Sequence, residues 1–142
     1  MALFRKGPTM ETTETTKTIL LVDDDVDYLE QTRIQLEAAG YNVVTADSIG
    51  EAETILADLR PDAAVLDLMM ENVDDGFVLA HKIKAIDKTI PVVLATAVTN
   101  ETGFEFDAAT KEERSWIKAD VVLDKPVRIE QLTREIERLL KR

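Results

Sequence analysis

Thr18-Ile-Leu-Leu-Val-Asp-Asp-Asp25 is an apolar strand that runs straight into three aspartates. Thr18–Val22 is apolar on both faces, whereas a strand with one face in water alternates. Such a strand lies inside a sheet covered by helices on both sides. Four further runs of this kind follow along the chain, at Asn42–Ala46, Ala63–Leu66, Val92–Ala95 and Val121–Leu123. Asn42–Ala46 is the most polar and is expected nearer an edge, and Val92–Ala95 is entered through Pro91.

Helical periodicity fills the gaps. Val26–Ala39 reads as a helix, stopped by Gly40 at the position after its end. Ser48 and Glu51 have capping-box spacing, and Ala52, Ile55, Leu56 and Leu59 then fall on one helical face. Phe77–Ile86 is a third helix with Leu79, Ile83 and Ile86 on one side. Ile129, Leu132, Ile136, Leu139 and Leu140 form the stripe of a closing helix. Five strands buried on both sides and alternating with helices predict parallel βαβ units with helices on both faces of the sheet. There is no internal repeat and no sign of a second domain. Residues 1–17, polar and without periodicity, read as a flexible tail, and 18–142 as the folded domain. Residues 1–9 are a leader or the product of an upstream start; the sequence leaves both open.

Composition narrows the function. The chain has 142 residues, one domain's worth, and at 45% hydrophobic it can bury one core. With only 5 Gly and 4 Pro, a low-complexity body is excluded. The lack of cysteine excludes disulfides, thiolate metal sites and cysteine nucleophiles, and fits a cytoplasmic protein. A net charge of −11 argues against binding nucleic acid through its phosphate backbone. No apolar run spans a bilayer, and Met1-Ala-Leu-Phe-Arg-Lys-Gly-Pro-Thr9 lacks the apolar segment of a secretory signal.

Chemistry gathers at the strand ends. Asp23, Asp24 and Asp25 follow strand one, Asp67 strand three, Thr96 strand four, and Asp124-Lys125-Pro126 closes strand five. Open α/β sheets bind ligands outside the carboxyl ends of their strands, so these residues are expected to converge. Packed carboxylates raise one another's pKa, and a hard cation such as Mg²⁺ relieves that conflict. Lys125 and the Thr96 hydroxyl complete a site suited to phosphoryl transfer onto a carboxylate.

Each residue also has a plainer reading. An Asp doublet after a strand is often a helix N-cap, a role open to Asp24 or Asp25. Asp67 could merely begin a turn, Lys125-Pro126 could be an ordinary turn, and Thr96 alone carries no weight. His81, the only histidine, reads as a solvent-facing neighbour rather than a ligand.

The ordered set resembles a known family. Ile19-Leu-Leu-Val-Asp-Asp-Asp25, Val65-Leu-Asp-Leu-Met-Met70, Leu94-Ala-Thr-Ala97 and Asp124-Lys-Pro126 are similar to the receiver-domain signature of two-component response regulators, over residues 18–141. The resemblance implies a flavodoxin-like (βα)5 fold with strand order 2-1-3-4-5. It implies Asp67 as the phosphoacceptor, with Asp23, Asp24, Asp67 and the Met69 carbonyl holding Mg²⁺. Thr96 would move toward the phosphoryl group, Ala97 would offer its backbone N–H, and Lys125 would pair with the phosphoryl group through a cis Lys125–Pro126 turn. The implied partners are a sensor histidine kinase or phosphotransfer protein and a downstream protein target. A monomer or a weak phosphorylation-dependent dimer is expected, with no activity beyond the chain's own phosphorylation and dephosphorylation. Output would run through a surface on the fourth helix, fifth strand and fifth helix.

Three departures stand out. Leu68-Met-Met-Glu-Asn-Val-Asp-Asp75 is one residue longer than the family's loop, with Glu71 in place of its proline; Glu71, Asp74 and Asp75 are candidates to tune metal affinity. Val122 occupies the usual position of an aromatic switch. The Thr96–Lys125 interval is long and carries Phe104, Phe106 and Trp116, with Thr110 and Glu113 spaced to cap a fourth helix. Those aromatics either seal the core beneath a longer loop, or replace the switch or form a partner surface. Met69 and Val98, both apolar, are expected to do little to orient an attacking water. Other classes fit less well: a dehalogenase-type phosphatase needs an Asp where Met69 stands, and a dinucleotide module needs a Gly-rich turn. A receiver-shaped scaffold without phosphorylation would not need the complete residue set. No output domain follows Arg142, so a stand-alone receiver is expected, with the receiver part of a larger regulator as the alternative.

Overall fold

The computed structural model describes residues 16–72, 74–96 and 118–141. Its strands are β1 (Thr18–Val22), β2 (Asn42–Ala46), β3 (Ala63–Asp67), β4 (Val92–Thr96) and β5 (Val121–Asp124). Its helices are α1 (Val26–Ala38), α2 (Ile49–Asp58), α3 (Asp75–Ile86) and α4 (Ile129–Leu140). The strands form one parallel sheet in the order β2-β1-β3-β4-β5. This is the predicted flavodoxin-like arrangement, with the polar strand β2 at an edge.

Strand alternation sorts the core into two layers. Ile19, Leu21, Ala63, Val65 and Val93 face Leu29 and Leu36 of α1 and Leu132, Ile136 and Leu139 of α4. Leu20, Val22, Ala64, Leu66, Val92 and Leu94 face Ala52 and Leu56 of α2 and Leu79, Ala80 and Ile83 of α3. Each large aliphatic buried this way contributes roughly 1.5–3 kcal/mol. The three central strands are almost entirely buried. The two edge strands are only half-buried, against the expectation of five strands covered on both sides, because each has a neighbour on one flank alone.

Local signals explain most element ends. Asp25 caps α1, its carboxylate accepting from the Asp27 and Tyr28 amides. Gly40 takes a φ of 105° just beyond that helix, where a side chain would be strained. Ser48 accepts from the Glu51 amide, and the Glu51 carboxylate accepts from the Asp47 amide.

Several boundaries differ from the sequence reading. Helix α2 ends at Asp58, and Leu59 turns into extended backbone. Helix α3 begins at Asp75, two residues earlier than predicted. Ile86 is 41% exposed rather than core-facing, and Ala80 is the residue buried beside Ile83. Ile86 instead lines an apolar groove of about 450 Å³ between α2 and α3. At the amino end of the sheet, Lys84 reaches Asp120 (2.9 Å) and the Ile90 carbonyl (2.6 Å), joining α3 to the entries of β4 and β5. The expected fourth helix near Thr110, together with Val98, Phe104, Phe106 and Trp116, lies outside the described residues.

Candidate functional site

Register brings the acidic residues together. Val22 pairs with Leu66, and Leu66 with Leu94; one step on, Asp67 pairs with Ala95, and then Thr96 with Asp124. Asp23, Asp67, Thr96 and Lys125 therefore stand within two residues of a common line across the carboxyl end of the sheet. Asp67, Thr96 and Asp124 are the last residues of their strands rather than the first after them, so backbone pairing with a neighbour holds each in place.

The ammonium of Lys125 joins the two buried carboxylates, 2.8 Å from Asp23 Oδ2 and 3.2 Å from Asp67 Oδ1. Asp23 is 1% exposed and Asp67 8%, while Asp24 is exposed. The other Asp23 oxygen accepts from the Asp25 amide at 3.0 Å. With Asp25 turned to its capping role, the doublet's two readings divide: Asp25 caps, and Asp23 and Asp24 are left to the site. Lys125 N–H donates to the Thr96 carbonyl at 2.8 Å, and the Lys125–Pro126 bond is cis. Thr96 is 1% exposed. The Lys125 ammonium also lies 4.9 Å from the centre of the Tyr28 ring.

Burial, and then the adjoining Asp23 carboxylate, push the Asp67 carboxyl up to about 6; the pull of Lys125 does not cancel them. Burial draws the Lys125 ammonium down, but Asp23 and Asp67 outweigh it and hold the group above its ordinary value. Both shifts follow from concentrating negative charge where water is scarce.

The loop after Asp67 is locked from within. The Asn72 amide donates to Asp75 Oδ2 at 2.9 Å, and the Asn72 side chain donates to Asp75 Oδ1 at 3.2 Å. Asp75 is buried and its carboxylate accepts both contacts, tying the loop to α3. Gly76 N–H donates to the Leu68 carbonyl at 2.7 Å. A Cβ on Gly76 would lie 2.6 Å from the Asp67 carbonyl oxygen and 2.6 Å from Leu68 Cα. Only glycine admits that approach of α3 to the strand end.

Among the described residues, Asp23, Asp24 and Asp67 each place a carboxylate oxygen within 4.8 Å of the others. Opposite ligands of Mg²⁺, bound at 2.0–2.1 Å, stand about 4 Å apart, so a small closing movement makes these donors a fit for a hard cation. Met69 follows two residues after Asp67 and is half-buried. Ala97, the expected N–H donor, lies outside the described residues.

Sequence reasoning missed two features. Tyr28 carried no motif, although its place in the first turn after Asp23-Asp24-Asp25 is the signal that could have found it. Asn72–Asp75 was visible only as i, i+3 spacing within an acidic loop. His81 is half-buried on α3.

Comparison with known proteins matches residues 19–137 to the response regulator receiver domain. The phosphate regulon transcriptional regulatory protein PhoB of Pseudomonas aeruginosa is 30% identical over 128 residues, covering 89% of this chain and 52% of that protein. Response regulator MprA of Mycobacterium sp. (strain KMS) is 34% identical over 126 residues, covering 87% and 50%. The chain thus spans about half the length of the curated relatives it matches. Among solved structures, a putative response regulator from Chloroflexus aurantiacus J-10-fl superposes with a TM-score of 0.72 at 29% identity, covering 90% of this chain and 100% of that one. A CheY-like receiver domain protein from Methanospirillum hungatei JF-1 gives 0.73 at 25% identity, covering 89% and 95%.

Proposed function

The chain belongs to the response-regulator receiver family, and from that premise we propose that it is a phosphoryl-accepting switch with Asp67 as the acceptor. One observation carries the reading: the Lys125 ammonium joins Asp23 and Asp67 beside the three-carboxylate cluster. Asp67 Oδ attacks the phosphorus of a phosphohistidine on a sensor kinase or phosphotransfer protein. The P–N bond breaks, the imidazole leaves with its electron pair, and an acyl phosphate forms. Lys125 then turns from the carboxylates to a phosphoryl oxygen, the Thr96 hydroxyl donates to another, and the Ala97 N–H to a third. Asp23, Asp24, Asp67 and the Met69 carbonyl are the residues that would hold Mg²⁺, which when bound neutralises charge on the transferring group.

Residues 18–142 form the receiver unit, which works in the cytoplasm. Among the described residues, no helix is long and apolar enough to cross a membrane. Output passes through contact with a protein target, as a shift between two pre-existing conformations. Incubation with acetyl phosphate and Mg²⁺, followed by intact mass, tests this. A phosphate-sized gain that disappears in Asp67→Asn is the expected outcome. No gain with acetyl phosphate or a phosphorylated histidine donor would leave a receiver-shaped scaffold.

A further inference from the structure

The Lys125 ammonium has both acidic and aromatic neighbours. Asp23 and Asp67 receive its ammonium at 2.8 and 3.2 Å, while the Tyr28 ring faces it at 4.9 Å. An ammonium on a four-carbon stem has many rotamers, and two carboxylates on one flank leave it free to swing toward water. The electron-rich face of an aromatic ring attracts a cation within about 6 Å of its centroid, more strongly where water is excluded. Here the lysine side chain is 20% exposed and the ring is half-buried.

Tyr28 is itself well anchored. Its amide donates to the Asp25 cap at 3.1 Å, and the residue is half-buried in the first turn of α1. The cap that starts the helix thus fixes the backbone from which the ring reaches the lysine. On β5, Val122 is aliphatic and packs partly buried against the α2–α3 side of the core.

We propose that Tyr28 is a positioning residue of the phosphoryl-transfer site, its ring keeping the Lys125 ammonium at the carboxyl end of the sheet, beside Asp23 and Asp67, rather than turned out to water. The first turn of α1 then carries the aromatic group that registers where the lysine sits. The proposal rests on the phosphoacceptor reading above for its consequence, but not for its geometry.

Two variants separate the ring from the hydroxyl: Tyr28→Phe keeps the ring and Tyr28→Leu removes it. The first measurement is the ¹H and ¹³C shifts of the Lys125 ε-methylene, which a ring face displaces upfield. The second is the rate of phosphorylation by acetyl phosphate, with Mg²⁺ affinity measured alongside. Expected are an upfield shift in the wild type and Tyr28→Phe that is lost in Tyr28→Leu, and a rate that falls about threefold to tenfold in Tyr28→Leu alone, with Mg²⁺ affinity unchanged. An unaltered lysine signal or an unaltered rate in Tyr28→Leu overturns the proposal. So does an equal loss of rate and Mg²⁺ affinity in both variants, which marks a general loosening of α1. If the wild type takes no phosphate, the functional reading falls, and the lysine shifts alone decide whether Tyr28 positions Lys125.

Discussion

Asp67 titrates near 6 in the folded chain, against an ordinary 3.8, because burial and Asp23 disfavour its charge. Between those values the folded state binds more protons at this group than the unfolded state, so its effect on stability falls as pH rises from about 4 to 6. Above about 6 the deficit is complete, on the order of 3 kcal/mol for a shift of about two units. Urea unfolding of wild type and Asp67→Asn in chelator-containing buffer tests this. The variant should gain on the wild type between pH 4 and 7 and hold that gain above 7. A difference between them that does not vary with pH would contradict the burial argument. Asp67 is thus a destabilising residue in the metal-free protein, held in place because β3 ends on it.

Helix α3 approaches Asp67 through a glycine. Gly76→Ala would place a methyl 2.6 Å from backbone atoms of Asp67 and Leu68, which cannot rotate away as a flexible side chain could. We expect a loss of about 2 kcal/mol in urea unfolding, with weakened Mg²⁺ binding as the strand end is pushed aside. Gly50→Ala is the control: at Gly50 in α2 the nearest atom to a new Cβ is Ser48 Oγ at 4.0 Å, and the change should be neutral or slightly stabilising. Equal stability of the two variants would show that α3 has room to spare. Ahead of α3, the Asn72–Asp75 contact braces the chain where Glu71 stands in place of a proline.

For the molecule as a whole, the proposed Mg²⁺ site at the acidic cluster predicts a linkage between metal and folding. A chain of net charge −11 attracts cations generally, so a specific site must be separated from that background. Mg²⁺ at a hundredfold excess over its dissociation constant should raise unfolding free energy by about 2.7 kcal/mol, and EDTA should remove the gain. Asp24 is exposed and lies outside the core, so Asp24→Ala should abolish most of that increment without unfolding the protein. Asp27→Ala, an exposed change of equal charge in the same turn, should leave it intact. Equal losses from the two variants would assign the effect to bulk electrostatics.

What the sequence determined by itself was the architecture and a set of candidate residues at the strand ends. Hydrophobic periodicity is local, so five apolar runs alternating with helical stripes were enough to predict parallel βαβ units, and the polarity of Asn42–Ala46 placed it at an edge. The order of Asp23, Asp24, Asp67, Thr96 and Lys125 along the chain carried the family resemblance. The tertiary structure alone decided how those residues meet. Strand register put Asp67 and Thr96 inside the ladder rather than beyond it, and capping assigned Asp25 to the helix and left Asp24 exposed. Ile86 fit the apolar stripe of α3 but faces solvent, because one helical turn cannot tell a core from a groove. Tyr28 and Lys125 are 97 positions apart and share no pattern. Their contact exists because β1 and β5 both finish at the carboxyl end of one parallel sheet, and closeness across a sheet is a property of packing that no local signal encodes.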